Sequence, residues 1–132
     1  MPGTVTFKPL QADLTKEKTF LGTLDPYCQI ILGHKKVKTQ VCKKGGSSPI
    51  WNDSLTLKKE DESVCTLELK DKETLIPDGT IGRVQIDLDE VVVNKKLSRW
   101  YDVMNKDEIM GQILVESYFT PENLETTAEA SK

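Results

Sequence analysis

The stretch that decides the fold is GTLDPYCQIILG, Gly22 to Gly33. It begins as a loop and turns, at Asp25-Pro26-Tyr27, into a short apolar run from Pro26 to Leu32. Proline fixes its own backbone dihedral and offers no N–H, so it suits the first residue of a strand. An acidic residue therefore stands at the mouth of a hydrophobic strand. Two physical roles fit it. A carboxylate facing outward at a loop mouth can bind a hard cation. Alternatively, it accepts N–H groups of its own loop and serves as a brace.

Outward from this stretch the chain reads as further short strands. Val5 to Ala12 alternates imperfectly, and Pro9 within it predicts an edge or a bulge. Lys36 to Cys42 alternates strictly, with Val37, Thr39 and Val41 on one side and Lys36, Lys38 and Gln40 on the other. Trp51 to Lys58 carries Leu55 and Leu57 inward. Val64 to Leu69 and Ile81 to Leu88 alternate again, and Trp100 to Met104 and Ile113 to Phe119 complete the set. Turn signals separate them at Leu32-Gly33-His34, Gly45 to Pro49 and Pro77-Asp78-Gly79. Only Asp87 to Lys96 suggests a short helical turn. This pattern predicts an all-β fold, an eight-stranded antiparallel β-sandwich. Its expected core holds Trp51, Leu55, Leu57, Leu67, Leu69, Val84, Ile86, Trp100 and Ile113. Residues 1–119 form the expected single domain, and residues 120–132 a polar, frayed tail.

Composition narrows the function classes. A chain of 132 residues suits one domain with a real core. No run approaches the ~18 apolar residues of a membrane span. The start, Met1-Pro2-Gly3, carries neither an apolar signal region nor a myristoylation signal. Cys28, Cys42 and Cys65 are odd in number and lack metal spacing, which suits reduced thiols in the cytoplasm. One histidine, no nucleophile motif and no phosphate-cradling glycine loop argue against an enzyme. The lysines lack interleaved aromatics, which argues against nucleic acid.

Charge is unevenly spread. From Pro26 to Asn52 there is no acid, and Lys35, Lys36, Lys38, Lys43 and Lys44 fall there. From Glu60 to Glu90, 10 acids face Lys70, Lys72 and Arg83. Different faces or edges should therefore carry opposite potentials.

A second acidic loop lies in LKDKETLIPDGTIG, Leu69 to Gly82, where Asp71, Glu73 and Asp78 flank the turn. With this loop the chain resembles the C2 domain family, the calcium- and lipid-binding β-sandwich. The resemblance is carried by LDPYCQIILG, SSPIWNDSLTL, LELKDKETLIPDGTIGRVQIDL, RWYDV and GQILVESYF, in the family's order from Val5 to Phe119. The first loop follows the first strand directly and an extra strand closes the chain. That order is similar to the family's permuted, type II topology.

The resemblance implies a calcium site on two loops at one end of the sandwich. Asp25 matches the aspartate of Asp-Pro-Tyr, and Asp71 and Glu73 match the Asp-x-Asp pair. Thr19 and Gly79 replace two expected ligands, with Glu17 and Asp78 as substitutes. Calcium wants six to eight oxygens at roughly 2.3–2.6 Å, so the implied site is incomplete and holds one ion weakly.

The implied partner is an anionic phospholipid membrane. Phe20 and Leu21 in the first loop, and Leu75 and Ile76 in the third, form apolar tips suited to the headgroup boundary. Leu24 is the residue expected to fold back under its loop. Lys36 and Lys38, with Lys58 beside them and Lys43 and Lys44 at the strand's end, form the implied lipid-binding lysine face. The expectation is a monomeric, cytoplasmic module that associates peripherally with membranes. The alternative is a calcium-independent protein–protein interaction module using the lysine face or a strand edge.

Overall fold

The computed structural model describes residues 1–122. The first strand, β1 (Gly3–Leu14), is followed by a tiny hairpin of β2 (Lys18–Thr19) and β3 (Gly22–Thr23). Next come β4 (Pro26–Leu32), β5 (Lys35–Lys38), β6 (Leu55–Lys59), β7 (Val64–Asp71) and β8 (Gly79–Asp87). A short helix, α1 (Leu88–Asn94), precedes β9 (Lys96–Asn105) and β10 (Glu108–Pro121). Asp87 caps the helix by accepting the N–H groups of Asp89 and Glu90.

Eight strands pair antiparallel in the order β5-β4-β7-β8-β9-β10-β1-β6. The link between β8 and β9 is a single pair, Arg83 with Met104. The sheet therefore folds into two layers, β5-β4-β7-β8 against β9-β10-β1-β6, as the alternation predicts. Gly82 makes this corner possible, because a Cβ there would lie 2.6 Å from Val103 Cγ1 and 2.8 Å from the Met104 carbonyl. At the other open edge, Lys35 Nζ donates to the Lys58 carbonyl at 2.7 Å. The first loop follows β1 directly and β10 closes the chain beside it, which is the permuted order.

The core lies between the layers. Val5 and Phe7 from β1, Cys28, Ile30 and Leu32 from β4, Leu67 and Leu69 from β7 and Val84 and Ile86 from β8 meet Val103, Ile113 and Val115. Trp51 is buried, and its Nε1–H donates to the Pro26 carbonyl at 3.1 Å. That bond anchors the second loop to the start of β4.

Several details depart from expectation. Trp100 is 45% exposed and outside the core. Val103 fixes the inward phase of β9, so Tyr101 turns in and Trp100 turns out. The lysine-bearing strand ends at Lys38, and the strand expected from Trp51 begins at Leu55. Pro9 takes the bulge of its two expected placements, at a register shift in the β1–β10 ladder. Thr120 and Pro121 belong to β10, paired with Thr4 and Gly3, so the ordered domain runs past residue 119. The rest of the expected tail, 123–132, lies outside the described residues.

Candidate functional site

Three loops converge at one end of the sandwich. They are residues 15–25, which include the β2–β3 hairpin, residues 39–54, and residues 72–78. Backbone bonds knit them together. Lys72 N–H donates to the Asp25 carbonyl at 3.1 Å, and Gly46 N–H donates to the Leu24 carbonyl at 3.1 Å. Leu24 is buried beneath the first loop, as expected.

Asp25 is a brace. Its Oδ1 accepts the Lys44 N–H at 2.7 Å, and its own N–H donates to Asp71 Oδ1 at 2.9 Å. Asp71 ends β7 and is buried. Asp78, by contrast, is engaged on both oxygens. Oδ2 accepts the Tyr27 hydroxyl at 2.5 Å and Oδ1 accepts the Glu73 N–H at 2.9 Å. Lys72 Nζ stands 3.8 Å from the same carboxylate. The Glu73 N–H, then the Tyr27 hydroxyl, hold Asp78 below the usual carboxylate range, with Lys72 and Lys70 assisting. Burial first, and Asp78 second, push the Tyr27 phenol up to about 12.

Glu73 behaves differently. A hydrogen bond to Asp71 raises its carboxyl above the usual range, and the charges of Asp71, Asp25 and Asp78 add to the effect. Like-charged carboxylates crowded in one place favour a shared proton or a cation. Asp25, Asp71 and Glu73 thus offer the hard oxygens that suit calcium, but few of them. Among the described residues, no three His, Cys, Asp or Glu side chains stand ready-made as a metal cage. Glu17 is exposed in the first loop beside Gly46, and its carbonyl, not its carboxylate, is engaged, by the Leu24 N–H.

The loop tips are apolar and open to solvent. Phe20 is 97% and Leu75 is 94% exposed, and Leu21 and Ile76 are about half exposed. Such residues on neighbouring loops are unusual without a partner. Lys16 and Lys18 flank the first tip, Lys72 the second, and Lys43 and Lys44 lie on the loop between. Lys16, Lys18 and Lys72 escape notice in the sequence because acids alternate with them. Their adjacency to Phe20, Leu21, Leu75 and Ile76 is the signal that locates them.

The lysine face is partly rearranged. Cross-strand partners share a face, and Gln29 pairs with Lys38 and Ile31 with Lys36. Tyr27, in turn, pairs with Lys70, and Glu68 with Arg83. Lys36, Lys38, Lys70 and Arg83 therefore line the outer surface of the β5-β4-β7-β8 layer. Glu68 lies among them, accepting Arg83 Nε at 2.8 Å and Gln29 Nε2 at 3.2 Å. Lys38 Nζ rests 5.8 Å from the Tyr27 ring centroid. Lys58 does not join this surface. It belongs to β6 in the other layer and pairs with Glu122 at 3.1 Å and Glu60 at 3.6 Å. Lys70 and Arg83 were hidden in the sequence by the acidic surplus around them.

Known proteins share this arrangement. A C2 domain family model matches residues 3–103. The chain is 42% identical over 73 residues to a rice protein, GTPase activating protein 1 from Oryza sativa subsp. japonica, covering 54% of this chain and 43% of that protein. It thus spans less than half the length of that relative. Among solved structures, a C2 domain-containing protein from a putative elicitor-responsive gene superposes with a TM-score of 0.81 at 25% identity, covering 93% of this chain and 92% of that one. The paired C2 domains of Extended-Synaptotagmin 2, in their calcium-bound structure, superpose with a TM-score of 0.74 at 26% identity, over 89% of this chain and 45% of that one. With its permuted two-layer sandwich and its loops gathered at one end, this chain belongs to the C2 domain family.

Proposed function

We propose that this protein is a peripheral membrane module. It meets anionic phospholipid with the loop end, and the outer surface of the β5-β4-β7-β8 layer adds charge attraction. The observation that carries this reading is the near-complete exposure of Phe20 and Leu75 on two hydrogen-bonded loops. Apolar tips ringed by Lys16, Lys18, Lys43, Lys44 and Lys72 match a surface that is apolar below and anionic above.

Calcium plays an accessory part. A single ion at Asp25, Asp71 and Glu73 would neutralise the acids beside the tips and bridge to lipid phosphate. Asp25 and Asp71 already brace the loops through backbone N–H groups, so the loop end keeps its shape before an ion arrives. Membrane binding should therefore be only partly calcium dependent. A second reading, docking to a protein, draws support from the exposed Trp100, which with its half-buried neighbour Leu114 lies on the layer opposite the lysine surface.

Sedimentation with phosphatidylserine vesicles tests the proposal. Binding at low salt without calcium, strengthened modestly by millimolar calcium, is the expected result. Protein that stays in the supernatant under both conditions overturns it.

A further inference from the structure

Beside the exposed tips the loop end holds a cleft of about 160 Å³. Leu14 and Leu24 form its buried base together with Asp71, and Ile81 and Met110 form apolar walls. Lys16 and Thr19 come from the first loop, and Asn105 closes the side nearest β9. Gly79 also lines it, opposite Asp71, and a Cβ on Gly79 would meet only Asp71 Cβ, at 3.9 Å. Asp71 is shared with the carboxylate set, but Asp25, Glu73 and the lysines of the outer β5-β4-β7-β8 surface do not line this space.

The polar groups of the cleft are largely committed elsewhere. Asp71 Oδ1 accepts the Asp25 N–H, and Asn105 Nδ2 donates to the Ile81 carbonyl at 3.2 Å. What remains is an apolar slot with one exposed cation, Lys16, at its edge. An apolar cavity of ~150 Å³ accepts a benzene-sized guest, so this one accommodates roughly six carbons.

We infer that the cleft takes about six carbons of one acyl chain of an anionic lipid, those nearest the headgroup, with the lipid's charged group held toward Lys16. This inference rests on the membrane reading for the origin of the chain. It adds a discrete, saturable chain site to what would otherwise be general insertion of apolar tips. A site of this size has a length limit, which a bilayer does not impose.

The test uses phosphatidylserines with two short chains, dissolved as monomers, and follows side-chain methyl signals by NMR. Affinity should rise about fourfold for each methylene added per chain and level off at about six carbons. The methyls of Leu14, Leu24, Ile81 and Met110 should shift on saturation. Gly79→Leu fills the slot and should abolish both the methyl shifts and the length dependence. Met110→Ala enlarges it and should move the plateau to longer chains. Shifts confined to lysine and loop backbone signals, or affinity without length dependence, overturn the inference. A vesicle arm separates the two proposals. If the wild type sediments with vesicles but shows no plateau, only the chain site fails. If the plateau is present but vesicles are ignored, the cleft is a chain site, the chain's origin in a bilayer is overturned, and the membrane reading fails.

Discussion

The Tyr27 hydroxyl donates to Asp78 Oδ2 at 2.5 Å, joining the lysine-bearing surface to the tip of the third loop. Lys38 rests over the same ring. Asp78 is thereby drawn toward Tyr27, and its other oxygen holds the Glu73 N–H. Tyr27→Phe keeps the ring and its packing but removes this donor. The hydrogen bond goes to a charged acceptor that is partly exposed, so about 1 kcal/mol of stability should be lost. Urea denaturation measures it. A variant as stable as the wild type would show that water replaces the hydroxyl without cost.

Calcium affinity should depend on pH through Glu73. Its folded-state carboxyl titrates above the ordinary value because Asp71 and the nearby acids favour the protonated form. Without calcium, the folded protein holds that proton more tightly than the unfolded chain does. The contribution of Glu73 to stability is therefore present at low pH and is lost as pH rises through the raised value. Calcium must displace the proton, so its affinity should grow over the same interval. Titration calorimetry should find binding in the range of ~10⁻⁴–10⁻³ M near neutral pH. Glu73→Gln should weaken it and flatten its pH dependence. A Glu73→Gln protein with unchanged calcium binding places the ion elsewhere.

Lysine substitutions should separate by layer. Lys36→Gln with Lys38→Gln should cost about 2 kcal/mol of binding to anionic vesicles, near thirtyfold. The loss should shrink at high salt, because exposed charges are screened within about 10 Å at 0.1 M. Lys58→Gln should change little, since Lys58 sits on the other layer and is already paired with Glu60 and Glu122. Equal effects from all three positions would argue for a binding surface centred on the open edge between β5 and β6.

The tips should carry the salt-resistant part. Phe20→Ser and Leu75→Ser remove side chains that stand in solvent, so the unfolding free energy should stay within about 0.5 kcal/mol of wild type. Each should nevertheless weaken vesicle binding about tenfold, for partial burial of a large apolar side chain in the headgroup boundary. Loss of folding together with binding would mean that the tips pack within the protein instead.

Much of this was legible in the sequence because alternation and turn residues act locally. Pro26 to Leu32 and Val64 to Leu69 read correctly as strands, Ile81 to Leu88 did so as far as Asp87, with Leu88 opening the helix, and Phe20 and Leu75 stood out as apolar residues in loops. The errors share a physical cause. In Arg99-Trp100-Tyr101-Asp102-Val103, one aromatic must face out, and only the position of Val103 in the fold chooses which. Lys59 is 1% exposed, its Nζ donating to the Met1 and Glu60 carbonyls. Its parity with Leu55 and Leu57 placed it inward, yet a lysine is assumed to face water. Lys58 could be assigned to a face only once β6 was known to pair with β1. The brace between Lys44 and Asp25 spans two loops and leaves no periodic trace.

The pairing of Gly3 with Pro121 also brings the two ends of the strand framework to one place. β1 runs 12 residues from Gly3 to the root of the first loop, about 40 Å at the usual rise of a strand. Both ends of the folded region therefore emerge together at the pole opposite the tips. On the membrane reading, a tether joined just before Gly3 would start from the pole away from the bilayer, leaving the loops free to reach it. The same geometry makes the segment before Gly3 a suitable place for an immobilisation tag in the vesicle experiments.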